Sequence, residues 1–307
     1  MLEALNREFG IPDRVTFKQG HGGLTKLEIT APHSTGEIYL QGAHVTSFVP
    51  QGQPPLLWMS GESRFEAGVA IRGGVPICWP WFGPLEGDAH APMHGFARLA
   101  EWTVSSVRAT DDAIVVQLTL DRAALSAAGS GDLNAAASAW SADFELQLEV
   151  TFGNELTLTL TVSNTGDRDF RFAAALHTYF SLSSISEAVI KGLAGRRFFD
   201  KLDQTIKVQS GSIRIDKEVD RIYLGTEDEV VIEQPDRPDI FIGKQGSQTT
   251  VIWNPWVEKA ARMADFPDDG YLRMVCVETA NADQDSRQLS PGERHQLTQV
   301  SGYLHQR

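Results

Sequence analysis

The sequence predicts an all-β fold, a large antiparallel β-sandwich with a few short helices. Three observations predict it. First, hydrophobic residues alternate with a period of two: Phe144, Leu146, Leu148, Val150 and Phe152, then Leu156, Leu158, Leu160 and Val162. Alternation of that kind marks a strand with one buried face. Second, Gly153-Asn154 lies between the two runs and reads as the turn of a hairpin. Third, short apolar or alternating segments recur at 27–30, 37–40, 45–48, 114–120, 170–180, 230–233, 240–242, 251–253 and 274–278, with turn residues between them. Many short strands with few helices favour a sandwich over a parallel α/β sheet.

Helical signals are sparse. Residues 3–8 and 121–128 suit short helices, and Pro255 introduces a third over 256–263. The Ala/Ser/Gly-rich stretch 126–141 reads as a surface connection. No Pro-rich linker or change of composition divides the 307 residues, so residues 1–307 are expected to form a single domain.

Composition limits the function. Twenty-seven Lys and Arg against forty Asp and Glu leave a formal charge of −13. A field of that sign disfavours nucleic acid and anionic membranes as partners. It also repels a phosphorylated small molecule at long range, so any such ligand requires a local cluster of basic residues. The start of the chain lacks the basic and apolar regions of a signal peptide, and no apolar run approaches membrane-spanning length. With only Cys78 and Cys276, the expectation is a cytoplasmic protein with reduced thiols, acting as a monomer.

Four segments could carry chemistry. In GVAIRGGVPICWPWFGP (68–84), Arg72 sits in an apolar stretch among glycines and aromatics. A buried arginine needs a partner or a ligand, and aromatic faces suit the C–H faces of a sugar ring. The same residues could equally be an arginine bridging two loops, with tryptophan filling the core. In MHGFAR (93–98), His94 and Arg98 occupy a loop flanked by Pro and Gly, so His90 and His94 do not share a helix face. Along 170–180, Phe170, Phe172, Ala174 and Leu176 share one face of a strand, while Ala173, Ala175, His177 and Tyr179 share the other. Small alanines leading up to His177 leave room for a ligand, and histidine can give or take a proton near neutrality. In VCVETAN (275–281), Glu278 ends an apolar β run. Burial raises a carboxyl pKa toward the range of a general base, although a strand-end Glu paired with an arginine would look the same. Asp200, closing GRRFFD, is by itself only a loop carboxylate. No H-E-x-x-H, C-x-x-C, P-loop or G-x-S-x-G motif occurs, and no metal site is expected.

Taken in order, IRGGVPICWPWFGP, MHGFAR, ALHTYF, VIWNPW with EKAARMADFPDDGY, and VCVETAN resemble the hexose-6-phosphate mutarotases. These are glucose-6-phosphate 1-epimerases within the galactose mutarotase-like (aldose 1-epimerase) superfamily. The resemblance spans about Arg72 to Asn281 and implies a sandwich with its site in a concave face. It implies that His177 is the general acid toward the ring oxygen and Glu278 the general base toward the C1 hydroxyl. It implies that Arg72, His94, Arg98 and Asp200 bind a small-molecule sugar phosphate, and that neither metal nor organic cofactor takes part. Met93 stands where some members carry a substrate-contacting glutamine. Three rivals remain: a mutarotase of free hexoses, a non-catalytic sugar-binding sandwich, and a glycoside hydrolase using Asp200 and Glu278 as paired carboxylates.

Overall fold

The computed structural model describes residues 1–127, 133 and 140–304, so most of the 126–141 connection lies outside the described residues. Two eight-stranded antiparallel sheets dominate the fold, beside a four-stranded meander running from Val15–Gln19 to His44–Pro50. The first large sheet has the spatial order Val189–Lys191, Val230–Glu233, Ile240–Gln245, Arg294–Tyr303, Leu156–Asn164, Phe144–Phe152, Ile114–Asp121 and Thr103–Ala109. We call it the core sheet. The expected hairpin lies at its centre, with Phe152 opposite Leu156 and Phe144 opposite Asn164. Every inward residue from Phe144 to Phe152 is at most 1% exposed.

The second large sheet runs Thr205–Val208, Arg197–Asp200, Val219–Leu224, Thr249–Asn254, Met274–Asn281, Ala174–Leu176 and Ile77–Cys78, with Tyr179–Ser181 also paired to Met274–Asn281. We call it the site sheet. Its inner face, including Leu176, Phe180, Val219, Ile252, Val275 and Val277, joins the main apolar core. Its outer face carries two small, separate clusters. One contains Cys78, Ala175, Val251 and Ala280, and the other contains Tyr179, Trp253, Phe266 and Cys276.

Several elements depart from the pattern in the sequence. The run 170–180 is three strands, not one: Phe170–Phe172 pairs with Arg287–Leu289, while Ala174–Leu176 and Tyr179–Ser181 pair with Met274–Asn281. The break at Ala173 arises because its N–H bonds to Pro80 O at 2.9 Å, outside either ladder. The N-terminal helix spans Leu2–Phe9, a helix spans Arg122–Ala127, and the third ends earlier than its pattern suggests, at Trp256–Ala260. The ten-residue strand Arg294–Tyr303 gives no clear alternation in the sequence. Its inward positions Leu297, Gln299, Ser301 and Tyr303 are half polar yet all buried, which masks the period.

Candidate active site

The site begins with register. Leu176 pairs with Thr279 and Tyr179 pairs with Cys276, with no residue inserted on either side. His177 therefore faces Glu278 across adjacent strands, at a spacing where cross-strand side chains meet. Their side chains do meet, with His177 Nε2 3.4 Å from Glu278 Oε1. Both are buried, at 7% and 1% exposure. Alternation sends this pair to the outer face, between the two small apolar clusters, while Leu176, Val277 and Thr279 turn inward.

The residue types around the pair hold the imidazole in place. Tyr179 stacks on His177 with ring centroids 5.0 Å apart and planes at 14°. Trp253 and His94 meet the ring edge-on at 6.1 and 5.5 Å. His94 is a non-glycine residue at φ 65, and its Nδ1 accepts a hydrogen bond from Gly83 N–H at 3.2 Å. With Nδ1 occupied as an acceptor, the proton of a neutral ring sits on Nε2 and is available to a ligand. Burial, reinforced by the Arg98 charge, holds His94 well below the usual histidine pKa and so keeps it neutral.

These side chains line a cleft of about 240 Å³. Its cations are Arg72, Arg98, Lys201 and Lys259, so the local cluster that the acidic net charge requires is present. The two arginines have separate partners, and the two lysines share one. Arg72 donates to Asp265 from Nε at 3.1 Å and to Tyr179 Oη at 3.1 Å. Burial opposes its charge, but Tyr179 and Asp265 outweigh that and keep it protonated. The loop that presents Arg72 needs its two glycines. A Cβ on Gly73 (φ 105) would lie 2.6 Å from the Met59 backbone, and one on Gly74 (φ 59) 2.2 Å from Val45 O. Arg98 donates to Met93 O at 2.6 Å, while its Nε is buried without a partner. Among the described residues it forms no salt bridge. Burial and the neighbouring Arg72 charge destabilise its cation. Lys201 and Lys259 both approach Asp220, at 3.1 and 4.0 Å, and Lys259 also holds Glu218 at 3.0 Å.

Five of the six residues singled out in the sequence converge on this cleft: Arg72, His94, Arg98, His177 and Glu278. Asp200 does not. Its carboxylate pairs with Lys207 Nζ at 2.9 Å and accepts Leu202 N–H at 3.2 Å, away from the cleft lining. The aspartate that lines the cleft is Asp220, 8% exposed, which pairs in register with Trp253. The only sign of it in the sequence is its place two residues before Ile222 on the outward face of a strand. Lys201 stands in no motif, and Lys259, although inside EKAARMADFPDDGY, is not singled out as a site residue.

Burial acts on the pair in opposite directions. It raises the Glu278 pKa well above the ordinary carboxyl value, and Asp220 adds to the rise. It lowers the His177 pKa well below the ordinary histidine value, with Arg98 and Arg72 adding to the fall. Burial thus favours a neutral carboxylic acid beside a neutral imidazole. That state and the ion pair contain the same number of protons and differ only by one transfer between the two residues. Both thiols, Cys78 and Cys276, are buried and pushed far above the range in which a thiolate could act.

Comparisons with known proteins give the family and the fold. The aldose 1-epimerase family profile matches residues 25–301. A provisionally named glucose-6-phosphate 1-epimerase of Escherichia coli (strain K12) is 34% identical over 264 residues, spanning 85% of this chain and 84% of its own. One from Salmonella typhimurium is 32% identical over 307 residues, spanning 97% and 99%. The crystal structure of a provisionally assigned mutarotase from Salmonella typhimurium superposes with a TM-score of 0.86 at 30% identity, covering 97% of this chain and 96% of that one. A galactose mutarotase related enzyme from Lactobacillus acidophilus shares the fold at 16% identity, with a TM-score of 0.69 over 91% and 97% of the two chains. A profile match over most of the chain, and relatives above 30% identity covered over 84% and 99% of their lengths, place this chain in the aldose 1-epimerase family.

Proposed function

We propose that this protein interconverts the α and β anomers of a hexose 6-phosphate, glucose 6-phosphate first among them, by acid/base ring opening and closure. The observation that carries the reading is the His177–Glu278 pair, 3.4 Å apart on the floor of a cleft rimmed by four cations. In the reactive arrangement Glu278 is ionised and His177 protonated, the tautomer of the resting neutral pair. Glu278 takes the proton of the anomeric hydroxyl while His177 donates one to the ring oxygen. The ring opens to the aldehyde, C1 rotates about the C1–C2 bond, and reclosure from the other face with reversed proton roles gives the other anomer. Positioned acids and bases each contribute roughly 10²–10⁴ in rate, enough for a reaction that already proceeds in water.

Arg98 is the phosphate grip in this reading. It is a half-buried cation whose Nε is buried without a partner, and among the described residues its guanidinium donates to a backbone carbonyl and forms no salt bridge; an anionic oxygen would satisfy it. Arg72, already oriented by Asp265 and Tyr179, supports it from the same wall. His94 Nε2–H and the Asp220 carboxylate supply a donor and an acceptor for sugar hydroxyls. Asp220 takes over the role that the family resemblance suggested for Asp200. The protein is taken to act as a cytoplasmic monomer, in keeping with its two free, buried cysteines; light scattering checks its mass in solution.

Anomer exchange on glucose 6-phosphate, followed by saturation-transfer NMR with glucose in parallel, tests the proposal. Acceleration for the phosphate and little for glucose is the expected result. Acceleration for glucose alone would replace the substrate class, and none for either would remove the catalytic reading.

A further inference from the structure

The main chain under His177 is not regular strand. Thr178 N–H bonds back to Leu176 O at 2.9 Å, so His177 is the central residue of a tight three-residue turn. Such a turn departs from the ladder and needs support. His177 N–H reaches Pro76 O at 3.0 Å and Tyr179 N–H reaches Gly74 O at 2.9 Å on one side. Thr178 O accepts Val277 N–H at 3.2 Å on the other, next to Glu278.

The Thr178 side chain points the opposite way from His177, into the space between the sheets, and is fully buried. There it meets Gln299, which comes from the facing core sheet and is itself 0% exposed. Gln299 Nε2 donates to Thr178 Oγ1 at 2.8 Å, and Thr178 Oγ1 lies 3.4 Å from Leu176 O, its own acceptor. A chain of hydrogen bonds therefore runs from the core sheet, through one threonine hydroxyl, to the turn that carries His177. Gln299 is otherwise a poor choice for that position. Its Oε1 is buried with no partner, and leucine of similar size would avoid the cost. Among the described residues, the bond to Thr178 is the one that Gln299's side chain makes.

Building on the reading of His177 as the acid, we infer that Gln299 and Thr178 are positioning residues. They brace the His177 turn from the opposite sheet and hold its imidazole at proton-transfer distance from Glu278 and the sugar. Displacement of a catalytic group by an ångström costs far more in turnover than in binding, because the loss falls on the transition state.

The test uses four variants of the whole chain. Thr178→Val removes the hydroxyl at nearly constant shape, Thr178→Ser keeps it and drops a methyl, Gln299→Leu removes the donor, and the fourth combines Thr178→Val with Gln299→Leu. In anomer exchange, Thr178→Val and Gln299→Leu are expected to lose about tenfold or more in kcat with KM changed by less than about twofold. Thr178→Ser should keep most of the rate, and the double variant should be no slower than the slower single one. A folded Thr178→Val with full kcat overturns the brace. So does a Thr178→Ser as slow as Thr178→Val, which would make the effect one of packing, and so do losses that multiply in the double variant. If Gln299→Leu does not fold, the Val/Ser pair at Thr178 decides alone. The ¹⁵N signals of the His177 ring give a readout independent of substrate: moved in Thr178→Val, as in the wild type in Thr178→Ser. If the wild type accelerates no anomer exchange, the proposed function fails while these signals still judge the brace; unmoved signals in Thr178→Val would overturn it whatever the activity.

Discussion

In the core sheet, inward positions such as Leu146, Leu148, Leu158 and Leu160 are fully buried aliphatics, and the strands pair without interruption for nine residues. In the site sheet the strands are short, and the run 170–181 supplies it with two broken pieces, its first three residues pairing elsewhere. Its outer face buries an imidazole, a carboxyl and an aspartate between two small apolar clusters. The two sheets share one core, yet they differ in what burial accomplishes. In the core sheet it stabilises the fold. In the site sheet it shifts the protonation of His177 and Glu278 and opposes the Arg98 charge, each at some expense in stability. Stability and reactivity are thus lodged largely in different sheets, and substitutions should separate them.

The sharpest separation is Glu278→Gln. Turnover should fall by roughly 10²–10⁴, the share of one positioned base, while the folded protein loses nothing in melting temperature at pH 8. A variant that melts earlier at pH 8 would mean that Glu278 supports the fold. In the opposite direction, Leu160→Ala in the core sheet should cost about 2–5 kcal/mol in chemical denaturation and leave kcat/KM unchanged below its melting temperature. A change in kcat/KM would show that apolar packing in the core sheet reaches the site, beyond the Gln299–Thr178 link.

Arg98→Ala should raise KM for glucose 6-phosphate by roughly tenfold or more and leave that for free glucose nearly untouched, since a charge-assisted bond is lost only where there is a phosphate to grip. Equal losses on both substrates would remove the phosphate from this arginine. The pH dependence of stability gives a smaller but signed effect. The raised Glu278 pKa means that above about pH 4.5 the folded chain keeps a proton that the unfolded chain releases. Stability from this group is present below that pH and falls as pH rises toward the folded value. The melting temperature of Glu278→Gln minus that of the wild type should therefore increase from pH 5 to pH 8; a constant difference would deny the shift. The smallest effect belongs to Asp200→Asn. Its Lys207 partner is 41% exposed, so the pairing carries little weight, and neither melting temperature nor activity should change. Asp220→Asn should by contrast weaken the sugar in the same KM measurement. Reversed outcomes for the two aspartates would return the sugar contact to Asp200.

The asymmetry between the sheets also governed what could be read from residues alone. Where inward positions are apolar, as in 144–162, period two specified strands and buried face correctly, while the Gly153-Asn154 turn takes in Glu155 as a third residue. Where they are polar, the signal failed. Arg294–Tyr303, with Gln299 and Ser301 inward, went unseen, although it crosses the middle of the core sheet and touches the residue next to His177. His177, Glu278, Arg72, His94 and Arg98 were legible because each stands out against its neighbours: charges in apolar runs, glycines beside an arginine. Lys201, Lys259 and Asp220 sit in ordinary polar surroundings and look like surface residues. Asp200 and Asp220 both belong to paired strands, and only the pairing tells them apart.

By itself, then, the sequence determined the strand-rich architecture and the faces of its regular hairpins, and it marked out the two residues proposed as acid and base, because those follow from local alternation and from chemically distinctive motifs. The tertiary structure decided which aspartate lines the cleft, which of the cleft's cations lacks a carboxylate partner among the described residues, and which main-chain bonds hold His177. Those depend on register between strands distant in the chain and on contacts between sheets. No local pattern encodes them, since a one-residue slip in pairing would send His177 to the core and leave the sequence unchanged.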